Sequence, residues 1–227
     1  MLRLWRALVR FGFRLLYNEL AFTYDLVSRV VSLGEWSCWQ RAALRFLPEM
    51  PGTRVLELAF GTGNFHADML ARGLQPVGID LSASMGRITR SKLSRRGLPV
   101  RLLRGRVQAL PFANATFPAV VSTFPTDFIV EPATLAEVRR VLIPGGRLVV
   151  VINGAFTRRS AATAALDVAY RVTGQHSVKT PMTEAYAALI AHFAEAGFDA
   201  RIAYEPCQRS VSVVVVAERQ PEPASNS

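Results

Sequence analysis

Hydrophobic positions along this chain follow two periods. From residue 54 onward, short continuous apolar runs alternate with longer stretches in which apolar side chains recur every three or four positions. The short runs read as buried strands, the longer ones as helices packed against them. In order, the pattern predicts strand 54–58, helix 64–72, strand 76–80, helix 82–96, strand 100–103, strand 119–123, helix 133–142 and strand 147–152. Gly73 and Gly97 close the first two helices, and Ser82 is a natural N-cap. Pro144-Gly145-Gly146 is expected to form a tight turn into the fifth strand. Such alternation builds a mostly parallel sheet with helices on both faces. A helix over 183–196, ending at Gly197, precedes strands 198–204 and 210–218. A short link through Pro206 joins these two strands, so they should pair antiparallel.

The remaining segments frame that core. Residues 17–46 are helical in pattern until Pro48 and Pro51-Gly52 break them. Residues 153–181 are less regular, with one helical stretch over 161–171 and a polar loop, Thr173-Gly174-Gln175-His176. Residues 220–227 are polar and Pro-rich and read as a frayed tail. The expected organisation is an N-terminal helical cap (1–50), an α/β domain (51–219) carrying a helical insertion at about 153–181, and the tail (220–227).

Charge changes the picture at one end. The 227 residues carry a net charge of +10, and among 27 basic residues only Lys92 and Lys179 are lysines. This favours anionic partners: membrane lipid, nucleic acid or an acidic metabolite. Arg3, Arg6, Arg10 and Arg14 fall on one stripe of a helix, beside Leu2, Trp5, Leu8 and Phe13. A basic, aromatic-bearing amphipathic helix is a candidate for an anionic membrane surface; packing on the domain with its arginines in water is the alternative. Arginine interrupts the apolar positions at every turn, which argues against a signal peptide. No apolar run reaches the roughly 18 residues that span a bilayer. The run Arg87, Arg90, Lys92, Arg95, Arg96, Arg101, Arg104 and Arg106 lacks interleaved aromatics and reads as a solvated face. Cys38 and Cys207 form neither a metal nor a redox spacing, so a reduced, cytoplasmic protein, peripheral at the membrane's inner face if it binds there, is expected.

Candidate chemistry gathers where the first strand ends. Glu57-Leu58-Ala59-Phe60-Gly61-Thr62-Gly63 carries a carboxylate and two glycines into the start of a helix. Glycine lets backbone pass close to a ligand, and the helix start offers free N–H groups and a partial positive charge. Such a unit suits a nucleotide-like cofactor. The dinucleotide pattern G-x-G-x-x-G fits in neither frame. Asp80 ends the second strand, where a carboxylate can accept two ribose hydroxyls.

The order acidic-x-small-x-Gly-x-Gly, met by Glu57, Ala59, Gly61 and Gly63, resembles the first motif of class I S-adenosylmethionine-dependent methyltransferases. Members usually have Gly at the position of Ala59. Gly78-Ile79-Asp80-Leu81-Ser82-x-x-Met85 resembles their second motif, and Gly105-Arg106-Val107-Gln108-Ala109-Leu110-Pro111-Phe112 their third. The usual third-motif Asp, which contacts the adenine amino group, is Arg106 here, a side chain with no acceptor. Val107 and Gln108 remain to meet the base. Pro144-Gly145-Gly146 matches a structural stretch of the family. Tyr24-Asp25 followed by Ser32-Leu33-Gly34 is similar to the N-terminal helices of quinone-pathway C-methyltransferases. The resemblance implies an α/β, Rossmann-like three-layer sandwich with a seven-stranded, mostly parallel sheet whose last strand is antiparallel, plus N-terminal helices. It implies S-adenosyl-L-methionine as cofactor, held by Glu57, Ala59, Gly61, Gly63, Asp80, Leu81, Val107, Gln108 and Thr123.

The acceptor is expected to be a small, largely apolar, quinone- or lipid-like molecule. No catalytic base is assigned; Asp127, Tyr24 and His176 are candidates. His66 reads as facing out or packed and His192 as packed, and no metal constellation appears. The Asn/Asp-Pro-Pro-aromatic signature of base-methylating relatives is absent after the fourth strand, so nucleic acid is not expected as substrate. Two other readings stay open. Ala59 and Arg106 suit a non-catalytic protein that keeps this fold for membrane or partner binding, and the charge alone suits an RNA methyltransferase.

Overall fold

A computed structural model describes residues 21–157 and 182–221. The predicted helices over 1–16 and 161–171 and the loop holding His176 lie outside those residues. Seven strands form one sheet: β1 (Arg54–Leu58), β2 (Gln75–Asp80), β3 (Leu102–Arg104), β4 (Phe117–Thr123), β5 (Leu142–Phe156), β6 (Phe198–Pro206) and β7 (Ser210–Arg219). Their order is β3-β2-β1-β4-β5-β7-β6. Strands β1 to β5 pair in parallel, and β7 inserts antiparallel between β5 and β6. The sheet is therefore the mostly parallel, seven-stranded one expected.

Period-two alternation explains the layers. Val55 and Leu56 are both fully buried, yet they fall in different cores; Val120 and Val121, and Val149 and Val150, divide the same way. A strand that is apolar on both faces must be covered on both. One face takes α5 (Pro132–Val141) and α6 (Met182–Glu195), through Leu135, Val138 and Phe193. The other takes α2 (Trp36–Ala42) and α3 (Asn64–Ala71), through Trp39, Phe65 and Met69. Helix α4 (Ala83–Arg95) starts at Ser82, whose hydroxyl accepts the Met85 N–H at 3.2 Å.

Three sequence expectations need correction. The helical pattern over 17–46 is interrupted: α1 (Tyr24–Val31) and α2 are separate, because Leu33 and Gly34 turn left-handed with φ of 50° and 87°. The Pro144-Gly145-Gly146 turn lies inside β5 rather than ahead of it. Leu142 pairs with Phe117 and Arg147 with Ala119, so the residues between them bulge out of the ladder. The cysteines are not a separate, reduced pair. Cys38 of α2 is disulfide-bonded to Cys207 in the β6–β7 link, with Cα atoms 6.0 Å apart across a sequence separation of 169. The fold, not the spacing, brings them together. Among the described residues no helix is long and apolar enough to cross a membrane.

Helix α2 is the clasp between the N-terminal segment and the sheet. The indole N–H of Trp39 donates to Ser210 Oγ at 2.8 Å, and its carbonyl accepts from Ser212 Oγ at 3.0 Å. The buried Glu35 carboxylate accepts the Ser210 hydroxyl at 2.6 Å. Gly154 leaves room for the indole: a Cβ there would lie 2.0 Å from Trp39 Cε2.

Candidate active site

The order of strands reverses between β1 and β4, and a ligand crevice is expected at the carboxyl ends beside that switch. A cavity of about 320 Å³ opens there. Its walls include Ala59 and Gly61 from the β1–α3 turn, Asp80, Leu81 and Ser82 after β2, and Gly105, Arg106, Val107 and Gln108 after β3. Thr123, Phe124, Pro125, Thr126 and Phe128 after β4 add the far wall, and Tyr24 of α1 covers it. A wider depression of about 520 Å³ between α5 and α6 is lined by Pro132, Leu135, Arg139 and His192. Its one glycine, Gly197, follows the end of α6 rather than a strand, and no parallel-strand end reaches it, so it lacks the strand-to-helix turn that makes a crevice of this fold a nucleotide site.

The glycine turn is built tightly. Asp80 Oδ2 accepts the Gly61 N–H at 2.9 Å, and Oδ1 accepts the Ser82 N–H at 2.8 Å. The Asp80 carboxyl is largely buried, and burial pushes its pKa above the ordinary value while the Ser82 and Gly61 N–H groups pull it back. A Cβ placed on Gly61 would meet nothing within 4 Å, so its face is open to a ligand. Thr89 of α4 donates its hydroxyl to the Gly61 carbonyl at 2.7 Å, which pins the turn from behind.

Of the residues the sequence singles out, Ala59, Gly61, Asp80, Leu81, Val107, Gln108, Thr123 and Tyr24 come together around this cavity. Glu57 and Gly63 do not line it. Glu57 is buried in the core, where its Oε2 lies 2.7 Å from Nδ1 of the fully buried His66. Burial pushes the Glu57 carboxyl up; the His66 hydrogen bond and charge oppose this, and the nearby Asp80 and Asp68 charges add to it. Gly63 instead admits α4: a Cβ there would stand 2.3 Å from Thr89 Cγ2. Asp127 is exposed at the start of a 3-10 turn and is not part of the cavity wall.

Asp25 also faces away from the cavity. Its Oδ1 accepts from Thr62 Oγ1 at 2.5 Å and Asn64 Nδ2 at 3.0 Å, and its Oδ2 meets Lys92 Nζ at 3.1 Å. So α1 is tied to the glycine turn and to α4. Lys92 leaves the solvated basic face, while Arg87, Arg90, Arg95, Arg96, Arg101, Arg104 and Arg106 remain exposed. The Leu110-Pro111-Phe112 stretch is held by α5. Arg140 donates to the Leu110 and Phe112 carbonyls at 2.9 and 2.6 Å, and Glu137 accepts the Leu110 N–H at 2.6 Å.

Sequence reasoning named Thr123 but missed the aromatic part of the far wall. Phe124 sits left-handed at φ 53°, a rare conformation for an aromatic residue. Its ring stacks on Trp36 with centroids 4.0 Å apart and planes at 23°. Pro125 gives no signal for that conformation, because a following proline pushes a residue toward extended backbone.

Strand order, glycine turn and carboxylate together define the fold of the class I methyltransferases, and residues 55–146 match the family model described as a methyltransferase domain. Among curated proteins, the chain is 40% identical over 139 residues to demethylmenaquinone methyltransferase of Thermus thermophilus, a match that covers 60% of this chain and 63% of that one. The chain thus spans less than two thirds of the length of the curated relatives it matches. Among solved structures it resembles a Methanococcus maripaludis protein assigned to the S-adenosyl-L-methionine-dependent methyltransferases, with TM-score 0.64, 15% identity and coverage of 90% and 94%. It also resembles the geranyl diphosphate C-methyltransferase of Streptomyces coelicolor, solved with S-adenosyl-L-homocysteine, with TM-score 0.59, 14% identity and coverage of 81% and 79%. At those identities the structural likeness speaks for the fold.

Proposed function

We propose that this protein transfers a methyl group from S-adenosyl-L-methionine to a small, largely apolar, quinone- or lipid-like acceptor. The observation that carries the reading is the open crevice in which the Asp80 carboxylate and the bare face of Gly61 converge. The residues present fit the cofactor. Asp80 has the acceptor lone pairs for two ribose hydroxyls, Gly61 allows close approach, and Val107 and Leu81 supply apolar flanks for a base. Glu57 and Gly63 act one step behind, as supports of the turn. Thr123 stands at the end of β4 in the cavity wall and would meet the methionine end of the cofactor.

The cofactor supplies a methyl group on a positively charged sulfur, open to in-line displacement. The chain's task is to bind, orient and exclude water. Phe124, Pro125, Phe128 and Tyr24 give the acceptor side an apolar wall. The name of the Thermus relative supports a quinone-like acceptor. Contact with an anionic membrane surface belongs to this reading: Phe22, Leu26 and Val30, four residues apart, are 75%, 64% and 61% exposed beside the basic N-terminal pattern. So does the division into a cap (1–50), a catalytic domain (51–219) and a tail (220–227).

Calorimetric titration with S-adenosyl-L-homocysteine tests the proposal. Saturable heat and a raised melting temperature are expected. No heat and no thermal shift at millimolar ligand would remove it.

A further inference from the structure

We infer that Cys38 and Cys207 form a redox modification site that sets how firmly the cap closes the cofactor cavity, its ligand being a small or protein dithiol. The inference rests on the proposed function for its effect on the cofactor, and on geometry alone for its effect on the cap.

Helix α2 has two working faces. One is fastened to the β6–β7 hairpin by the disulfide, by Glu35 on Ser210, and by Trp39 on Ser210 and Ser212. The other reaches the cavity wall. Trp36 stacks on Phe124, and Gln40 Nε2 donates to Thr123 Oγ1 at 3.1 Å. Trp36 also meets the Tyr24 ring edge-on, at 6.2 Å between centroids. Thr123, Phe124 and Tyr24 all line the cavity. One helix of seven residues therefore connects the sulfur pair to three wall residues.

The bond closes a loop of most of the chain, so its loss loosens an α2 that is otherwise held by its polar contacts and by the burial of Trp39 and Ala42 in the core. Phe124 is the strained element of that wall. Its left-handed φ of 53° is unfavourable and persists only while its surroundings hold it. The Trp36 ring, stacked at 4.0 Å, and the Trp39 ring, at 6.1 Å, both of α2, belong to those surroundings. Both cysteines are partly exposed, so a reductant can reach them. A dithiol's thiolate attacks one sulfur to give a mixed disulfide, and its second thiol then displaces the remaining protein sulfur. Two electrons and two protons pass to Cys38 and Cys207, and the reductant leaves as a cyclic disulfide.

The full chain is prepared oxidised and dithiothreitol-reduced, with the thiols counted by mass spectrometry. Two readouts are taken on each form: hydrogen exchange of the α2 amides and of Phe124, and S-adenosyl-L-homocysteine affinity by calorimetry. Reduction is expected to speed exchange at Trp36–Ala42 and Phe124 and to weaken affinity about tenfold, a coupling of ordinary allosteric size. The Cys38→Ser/Cys207→Ser variant is expected to match the reduced form and to ignore dithiothreitol. Identical exchange in both redox forms overturns the inference, as does a pair of thiols that resists oxidation in the folded protein. Unequal exchange with equal affinity overturns its link to the cavity. Redox-dependent exchange with no ligand heat in either form supports the clasp and sinks the proposed function instead.

Discussion

The Asp80 carboxylate accepts the Gly61 N–H at 2.9 Å, so the acid that ends β2 is already fastened to the turn that ends β1. One residue thus both shapes the crevice and faces it. Asp80→Ala removes two charge-assisted acceptors, each worth about 1.5–3 kcal/mol. S-adenosyl-L-homocysteine affinity is expected to fall by roughly 10²-fold or more, measured by calorimetry. The free protein's affinity is also expected to fall on acidification, because the protonated acid is a poorer acceptor. Burial raises the Asp80 pKa above its ordinary 3.8, so the loss sets in at a higher pH than for an exposed aspartate. A midpoint at or below 3.8 contradicts this.

Ala59 sits left-handed with φ 54°, a conformation that favours glycine. Its Cβ makes that conformation unfavourable by roughly 1–2 kcal/mol, while glycine gives back roughly 0.5–1 kcal/mol through a more flexible unfolded chain. Ala59→Gly is therefore expected to stabilise the fold by about 0.5–1 kcal/mol, as the difference of those terms. Gly63→Ala should do the reverse. It adds a Cβ at φ 75°, 2.3 Å from Thr89 Cγ2, and is expected to cost more than about 2 kcal/mol. Urea unfolding of the two variants reads both signs.

The glycine turn, Asp80 and the strand order were legible because each is a local pattern: an apolar run, a turn residue and an acid at a strand's end. The Leu110-Pro111-Phe112 stretch was legible as a motif, but its anchors Glu137 and Arg140 lie on a helix that follows much later. The motif resemblance implies Glu57 as a cofactor contact. Its partner His66, nine positions on, satisfies it inside the core. Asp127 was attractive only for its charge next to the switch point, and the 3-10 turn carries it outward. The clasp was invisible for the same reason as the disulfide. Glu35, Cys38 and Trp39 meet Cys207, Ser210 and Ser212 through sheet topology, which no local window contains.

Gly154 is the narrowest point of that clasp. A methyl group there would fall 2.0 Å from Trp39 Cε2, against a ring that is itself hydrogen-bonded at both its indole N–H and its backbone carbonyl. The ring cannot shift without losing those bonds. Gly154→Ala is expected to destabilise by about 2–3 kcal/mol, the upper range of overpacking. Thermal unfolding checks this, and Trp39→Phe, which removes the indole N–H that donates to Ser210 Oγ, provides the partner measurement. If the two effects simply add in the double variant, Gly154 and Trp39 do not share this contact.

Glu57 and His66 are separable by their charge. His66→Ala leaves a buried carboxylate without its partner and is expected to cost about 3–5 kcal/mol at neutral pH. Glu57→Gln keeps an amide beside Nδ1 and removes the ionisation. The folded-state pKa of Glu57 is raised above its ordinary 4.5, so its contribution to stability is fully present below that value and is lost as pH rises through the folded pKa. The stability of Glu57→Gln relative to the natural chain should therefore improve from pH 4 toward neutrality. Guanidinium unfolding across that range gives the difference directly. A difference that stays flat with pH means that His66 compensates the charge in full. A difference that moves against Glu57→Gln means that the pair is held as ions, with the carboxylate favoured by folding.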